Sequence, residues 1–127
     1  MSEKEAALKA LRRVIYAMNA GDDSACLTGM TKNVVIIEDV APFRRVGRQA
    51  AEKWLNRVAD SRQRLDASLT LEAAEVRVAD KRAYIVAPGL LKGGLVASDF
   101  EINGLVTSTL VERNGEWLVD SLIWSGR

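Results

Sequence analysis

The chain has 127 residues, of which 48% are hydrophobic and 28% are charged. These fractions are ordinary for a folded globular protein, so we predict a single domain spanning residues 1–127 rather than a disordered chain. The 18 basic and 17 acidic residues leave a net charge of +1. Such a balance offers no strong attraction to nucleic acid or to an anionic membrane surface, and we expect neither as a partner.

The sequence contains no histidine and one cysteine. Without histidine, Ser-His-Asp catalysis, the usual zinc sites and histidine general bases are excluded, and we expect neither a metal nor a cofactor. Cys26 cannot form an internal disulfide, so we expect it to be a small buried hydrophobe in a cytoplasmic protein. The polar N-terminal residues and the short apolar runs predict neither a secretion signal nor a membrane span.

Three stretches have the residue spacing of amphipathic helices. Residues 3–19 place apolar side chains three and four positions apart, and Ser2 and Gly21 are typical caps at the two ends. The apolar stripe consists of Leu8, Leu11, Ile15 and Met18. A short second helix, capped by an aspartate, is predicted over residues 22–30, and a third over residues 48–61.

Five stretches rich in β-branched and aromatic residues are predicted to be strands. They are residues 33–39, 68–78, 82–91, 100–112 and 117–125. Turns are expected at Asp80-Lys81, at Lys92-Gly93-Gly94 and at Asn114-Gly115, the last being a strong type I′ hairpin signal. Gly104, inside the fourth strand, predicts a bulge or a bend.

The order of these elements is three helices with one early strand, followed by an antiparallel meander. Helices that are separated in sequence from a run of antiparallel strands indicate an α+β fold. We therefore predict three N-terminal helices packed on one face of a strongly curved, mostly antiparallel sheet.

Residues 34–48 are predicted to form the floor of a pocket. Four apolar residues in a row end at two adjacent carboxylates, Glu38 and Asp39. If Val35 and Ile37 face the core, strand alternation places Asp39 on the same face and Glu38 on the opposite one. We therefore expect Asp39 to point into an apolar pocket, where burial would raise its pKa, and Glu38 to face solvent or an interface.

Four short motifs occur in order along nearly the whole chain. They are Asn19-Ala20-Gly21-Asp22, Val35-Ile36-Ile37-Glu38-Asp39, Val46-Gly47-Arg48 followed by Gln49-Ala50-Ala51-Glu52-Lys53-Trp54-Leu55, and Asn114-Gly115-Glu116-Trp117. In this order and spacing they resemble the nuclear-transport-factor-2-like superfamily, in its ketosteroid isomerase and polyketide cyclase-like branch. The resemblance implies a cystatin-like cone with an internal pocket, and a small hydrophobic molecule as its ligand.

The resemblance also implies a role for Asp39. In ketosteroid isomerases the catalytic base is an aspartate that ends a Val-Glu-Asp segment of the first strand, and Asp39 matches that position. The oxyanion donors of those enzymes do not carry over, because Val14 stands at the position of their tyrosine and Thr107 at that of their protonated aspartate. Leu55 replaces a supporting tyrosine. Steroid isomerisation by that mechanism is therefore not expected, and the histidine-dependent dehydratase and cyclase chemistries are not expected either.

Seven residues are predicted to contact the small molecule. They are Val14, Tyr16, Met18, Val35, Trp54, Thr107 and Trp124. For the two tryptophans the alternative is an ordinary core position, and for Thr107 it is β-propensity alone. The Tyr16 hydroxyl faces either the cavity or the surface. The cluster Arg44, Arg45 and Arg48 is expected to be a solvated rim, with a gate for anionic substrates as the alternative.

Two kinds of function remain open at this point. The first is an isomerase-, cyclase- or hydrolase-like enzyme in which Asp39 acts as general base on a small hydrophobic substrate. The second is a non-catalytic ligand-binding or association module, since one fold hosts many functions. A homodimer is also expected, because both faces of the 100–112 strand carry apolar residues. If the strand face that carries Thr107 faces the cavity, the opposite face, which carries Phe100 and Leu110, must be buried in another way, such as in a dimer interface.

Overall fold

The computed structural model describes residues 1–95, without the Leu95 side chain, and residues 98–126. Its helices are α1 (Glu3–Ala20), α2 (Asp23–Thr28) and α3 (Arg48–Leu65). Both predicted caps of α1 are confirmed: the Ser2 hydroxyl accepts a 3.1 Å hydrogen bond from the Glu5 N–H, and Gly21 has a left-handed φ of 77°. Within the part of the chain that the structure describes, no helix is long and apolar enough to cross a membrane.

Seven strands form one sheet. They are β1 (Met30–Ile37), β2 (Arg44–Val46), β3 (Ser68–Leu71), β4 (Glu75–Ala79), β5 (Arg82–Leu95), β6 (Ser98–Arg113) and β7 (Glu116–Gly126). The order across the sheet is β2-β1-β7-β6-β5-β3, and β4 pairs with β5 beside β3. All pairings are antiparallel except that of β1 with β7, which is parallel. The predicted α+β class, with three helices and a curved antiparallel sheet, is confirmed.

Several boundaries differ from the predicted ones: β1 begins at Met30 and ends at Ile37, α3 continues to Leu65, and β2 was not predicted as a strand. The predicted strand over residues 68–78 is two strands, β3 and β4, which pair with successive parts of β5. The predicted turn at Lys92-Gly93-Gly94 is wrong, because these residues continue β5 and pair with Glu101, Phe100 and Asp99. Gly104 pairs in regular register and forms no bulge, since the irregularity in β6 lies between Thr109 and Leu110.

The hairpin between β6 and β7 matches its sequence signal. Asn114 and Gly115 both have positive φ, 54° and 80°, as a type I′ turn requires. The same geometry occurs at Asp80 and Lys81, with φ of 51° and 61°, between β4 and β5. Both turns keep the meander tight, so consecutive strands lie side by side.

The inner face of the sheet packs against the helices and forms the core. Alternate residues of β5 and β6 are buried there, including Ala83, Ile85, Val106 and Leu110. Thr107 lies between them in the sequence and therefore faces outward, which reverses the orientation expected for a pocket residue. Cys26 is buried, as predicted, and burial raises the pKa of its thiol to about 12.

Candidate functional site

A cavity of about 240 Å³ lies between the helices and the inner face of the sheet. Its walls come from the C-terminal end of α1, one side of α3, and the neighbouring parts of β1, β3, β5, β6 and β7. Most lining side chains are apolar, and Trp54, Phe100 and Trp124 supply aromatic surface. A pocket of this composition suits a small apolar molecule held by a few polar groups.

Two glycines determine how Trp124 lies in this wall. Gly89 of β5 and Gly104 of β6 are register partners, and an added Cβ on either would meet the Trp124 indole, at 2.9 Å and 2.6 Å. Only glycines allow the ring to approach the strands this closely. The indole therefore lies against the sheet and occupies the space that a side chain at either glycine would fill.

Glu38 is the carboxylate in the cavity wall. In the second half of β1 the buried residues are Val34 and Ile36, so the residue that continues their alternation is Glu38. The Glu38 N–H donates a 3.0 Å hydrogen bond to the Phe43 carbonyl, which extends the pairing beyond the end of the strand. The Glu38 side chain is 9% exposed and lines the cavity.

Two arginines accompany Glu38. Arg57 of α3 lines the cavity and donates from Nη2 to Glu38 Oε1, and Arg45 of β2 approaches with its Nε 3.9 Å from Glu38 Oε2. The side chains of Arg57 and Arg45 are 31% and 14% exposed. We call these three residues the Glu38 cluster. Arg45 is thus largely buried against Glu38 and does not belong to the solvated rim that the sequence predicted.

Burial raises the pKa of Glu38, because removal from water disfavours the charged carboxylate. The positive charges of Arg57 and Arg45 act in the opposite direction, and nearby Asp39 adds to the increase. Desolvation is the largest of these effects. A raised pKa makes the ionised carboxylate a stronger base than an ordinary glutamate.

The predicted placement of Asp39 is wrong. Asp39 is exposed, and its Oδ2 accepts a 3.3 Å hydrogen bond from the Gly126 N–H. The error is one residue of register: with four apolar residues in a row, Val34 and Ile36 could face the core as well as Val35 and Ile37. Asp39 is not among the residues that line the cavity.

Three of the seven predicted contact residues lie in the cavity wall, namely Met18, Trp54 and Trp124. The other four do not. Val14 is buried against Gly29 in the core, and Tyr16 is 76% exposed on the outer side of α1. Val35 and Thr107 are half-buried on the outer face of the sheet.

The residues that the sequence prediction missed are Glu38 and Arg57. Arg57 follows Trp54 by three positions on α3, so the two share a helix face, and this spacing was the available signal. From the sequence alone, Arg57 resembles an ordinary solvated arginine. Among the described residues, no group of three His, Cys, Asp or Glu side chains is arranged to hold a metal ion.

No protein-family model and no curated protein matches the sequence. Solved structures do match the fold. A CaMKII hub from S. rosetta superposes with a TM-score of 0.86 at 18% identity, over 100% of this chain and 98% of that one. A provisionally assigned ketosteroid isomerase from Shewanella frigidimarina superposes with a TM-score of 0.79 at 14% identity, over 94% of each chain.

A further match is an NTF2-like protein with a cystatin-like fold from Novosphingobium aromaticivorans. It superposes with a TM-score of 0.83 at 13% identity and covers 96% of this chain and 80% of that one. At such low identities the likeness concerns the fold and not the activity. The chain therefore has the nuclear-transport-factor-2-like, cystatin-like fold that its four sequence motifs implied.

Proposed function

We propose that this protein binds a small, mostly apolar molecule in the cavity and that Glu38 serves there as the general base of a proton transfer. One observation carries the proposal: a carboxylate only 9% exposed stands in the wall of a mostly apolar cavity. Burial raises the pKa of Glu38 although two arginines stand beside it, and carboxylates with shifted pKa values in cavities cluster at functional sites. Glu38 takes the role that the sequence gave to its neighbour Asp39.

The surroundings of Glu38 suit this chemistry. Its pKa is raised by burial, which brings a carboxylate base closer to neutral pH, where proton abstraction is efficient. Arg57 places a positive charge beside it, which could stabilise an oxygen anion formed when the substrate loses its proton. This charge would replace the donors that are missing at Val14 and Thr107.

The proposal can be tested with a generic substrate, nitrobenzisoxazole, which is neutral, flat and apolar. A carboxylate base removes the proton from its ring carbon, the electron pair completes the nitrile, and the N–O bond breaks to release a coloured phenolate. Protonated Glu38 then returns the proton to water. We expect catalysed turnover that requires the ionised form of Glu38, so the rate should increase with pH up to a plateau.

Two matched pairs of variants make the test specific. Glu38→Gln should abolish the catalysed rate, while Asp39→Asn, its exposed neighbour, should retain it. Ser61→Phe fills the cavity from α3 and should block turnover, while Gln63→Phe, on the exposed side of the same helix, should not. A wild-type rate no higher than that of Glu38→Gln would refute the proposed role of Glu38.

A second candidate function is self-association through the outer face of the sheet. This face exposes Tyr84 at 52% and Val86 at 43%, and Thr107 and Ile123 continue the row that begins at Val86. An apolar face on an otherwise polar surface is often buried against the same face of a second subunit in a twofold dimer. The match to a CaMKII hub also supports an association role.

Sedimentation over a range of concentrations tests this candidate. We expect a homodimer that Val86→Lys dissociates, while Gln63→Lys on the exposed side of α3 leaves it intact. A wild-type protein that sediments as a monomer at every concentration would refute the association.

A further inference from the structure

We infer that Ser61 determines the specificity of the cavity, and that its hydroxyl donates a hydrogen bond to an acceptor oxygen on a neutral ligand about the size of one aromatic ring. The inference rests on the proposed function, because it names a further residue and the class of ligand for the same cavity. It follows from a polar side chain that interrupts an apolar stripe of α3.

Helix α3 turns this apolar stripe toward the cavity. Trp54, Val58 and Leu65 belong to it, and Ser61 occupies the remaining place at the helical spacing of three and four residues. Serine favours a helix less than alanine does, and it fills less space than the neighbouring apolar residues. A serine at this position gives up packing and helix stability, which indicates a role for its hydroxyl.

The Ser61 hydroxyl has no hydrogen-bond partner among the described residues. Serine and threonine in helices often donate to the carbonyl four residues earlier, as Thr28 of α2 does to Ser24 at 2.7 Å. Within the described ranges, Ser61 makes no such bond to Arg57 or to any other residue, unlike the arginines of the same helix. Because Ser61 lines the cavity, its hydroxyl is available to a ligand atom.

Ser61 lies close to the Glu38 cluster. It follows Arg57 by four residues, which is about 6 Å along a helix axis, and Arg57 contacts Glu38. Side chains of a helix tilt toward its N-terminus, so the Ser61 side chain leans toward Arg57. A ligand oxygen bound to Ser61 therefore places the neighbouring carbon atoms of the ligand on the side of Glu38.

Two other polar residues of the wall are engaged or distant. The Asn19 side chain donates to the Leu69 carbonyl at 2.7 Å and accepts from the Leu69 N–H at 3.0 Å. Ser68 belongs to β3, which is four strand positions from β1, or roughly 19 Å when measured along the sheet. A single-ring ligand that reaches Glu38 from the cavity therefore meets Ser61 rather than Ser68.

The charges of the Glu38 cluster favour a neutral ligand with an acceptor. Glu38 must be ionised to act as a base, and a negatively charged ligand group beside it would favour its protonated form. A positively charged group would be repelled by Arg57, whose guanidinium has donors only. A carbonyl oxygen on an uncharged aromatic ring meets these conditions. The cavity of about 240 Å³, with Trp54 and Trp124 in its wall, suits one such ring.

Two uncharged probes that differ only at the oxygen test the inference. Acetophenone has a carbonyl, and α-methylstyrene has a CH2 group in its place. Titrations followed by the indole N–H NMR signals of Trp54 and Trp124 measure both affinities. We expect Ser61→Ala to weaken acetophenone binding about fivefold, which corresponds to about 1 kcal/mol, the typical contribution of one neutral hydrogen bond. Binding of α-methylstyrene should not change, so the comparison separates the hydrogen bond from the shape of the cavity.

Further variants and a charged probe assign the effect. Ser61→Thr keeps the hydroxyl and should keep the wild-type ratio of the two affinities. Ser68→Ala removes the other serine hydroxyl of the wall and should also keep that ratio. Benzoate, which has nearly the shape of acetophenone but a negative charge, should bind wild type more weakly than acetophenone does.

Several results would overturn the inference. They are an unchanged affinity for acetophenone in Ser61→Ala, an equal loss for both probes, the same loss in Ser68→Ala, a tighter binding of benzoate, and no binding of acetophenone at millimolar concentration. None of them decides the role of Glu38, because turnover of nitrobenzisoxazole measures proton removal and acetophenone binding does not. Turnover without the fivefold effect refutes only the role of Ser61, and the fivefold effect without turnover refutes only the role of Glu38 as base.

Discussion

The two ends of the space between the helices and the sheet are built from the same elements but are filled differently. At one end, which we call the packed end, Cys26, Met30, Leu110 and Val119 are at most 1% exposed and belong to the continuous core. At the other end, the same strands β1, β6 and β7 and helix α3 surround the cavity. The packed end supplies stability, and the cavity end supplies the candidate site.

The difference has a physical cause in the residue types. The packed end consists of apolar side chains that are almost fully buried in the continuous core. The cavity end instead has glycines where side chains would point inward, a tryptophan held flat against them, and a carboxylate paired with arginines. Each of these features gives up some packing, as is common where a protein keeps a site.

The largest expected effect compares the two ends directly. Leu110→Ala, at the packed end, should lower the free energy of unfolding by about 3–4 kcal/mol, because the surrounding core cannot collapse into the new cavity. Leu122→Ala, in the cavity wall, should lower it by about 1 kcal/mol less, because this side chain already borders open space. Urea denaturation of the two variants measures both values. Equal losses would contradict the distinction between the ends.

Gly104→Ala should have the next largest effect. Its methyl group would overlap the Ser125 carbonyl and lie 2.6 Å from Trp124 Cη2, so the indole must move. We expect a loss of about 1–3 kcal/mol, as for other overpacked sites, together with a changed near-ultraviolet circular dichroism signal. Asn103→Ala, at the exposed neighbouring position, should leave the signal unchanged. An unaltered spectrum in Gly104→Ala would show that the indole does not depend on this glycine.

Glu38→Gln should change how stability depends on pH. Because the folded state raises the pKa of Glu38 above its ordinary value of 4.5, the folded protein binds this proton more tightly than the unfolded chain does. The wild type should therefore lose stability as the pH rises from below that value toward the raised pKa, and the glutamine variant should lack this loss. Urea denaturation across this pH range tests it. A wild type that gains stability relative to the glutamine variant as the pH rises would reverse the sign and contradict the raised pKa.

Asp39→Asn should have the smallest effect. Asp39 is exposed and makes one 3.3 Å hydrogen bond to the Gly126 N–H, which the asparagine carbonyl can also accept. We expect the free energy of unfolding to change by less than about 0.5 kcal/mol. Thermal denaturation of Asp39→Asn and of Glu38→Gln compares the stability changes of the two variants. A larger change at Asp39 than at Glu38 would show that the two carboxylates have been assigned the wrong way round.

The sequence alone determined the architecture of this protein. Hydrophobic spacing located the helices, the caps at Ser2 and Gly21 fixed the bounds of α1 closely, and Asn114-Gly115 fixed the last hairpin. These signals are local, because caps and turns depend on residues adjacent in the chain. Of the cavity wall, Met18, Trp54 and Trp124 were also predictable, since large apolar residues on the inner faces of helices and strands must border any internal space.

Only the tertiary structure decided which carboxylate enters the cavity. In a strand with four consecutive apolar residues, both alternations are compatible with a buried face, and the pairing of β1 with β7 and β2 selects the one that turns Glu38 inward. The ion pairs of Glu38 with Arg57 and Arg45 join residues from three separate parts of the chain, so no local sequence pattern predicts them. The same holds for Gly89 and for Gly104, where the sequence predicted a bulge or a bend: both glycines admit the ring of Trp124 from another strand, a contact that exists only once the sheet has formed.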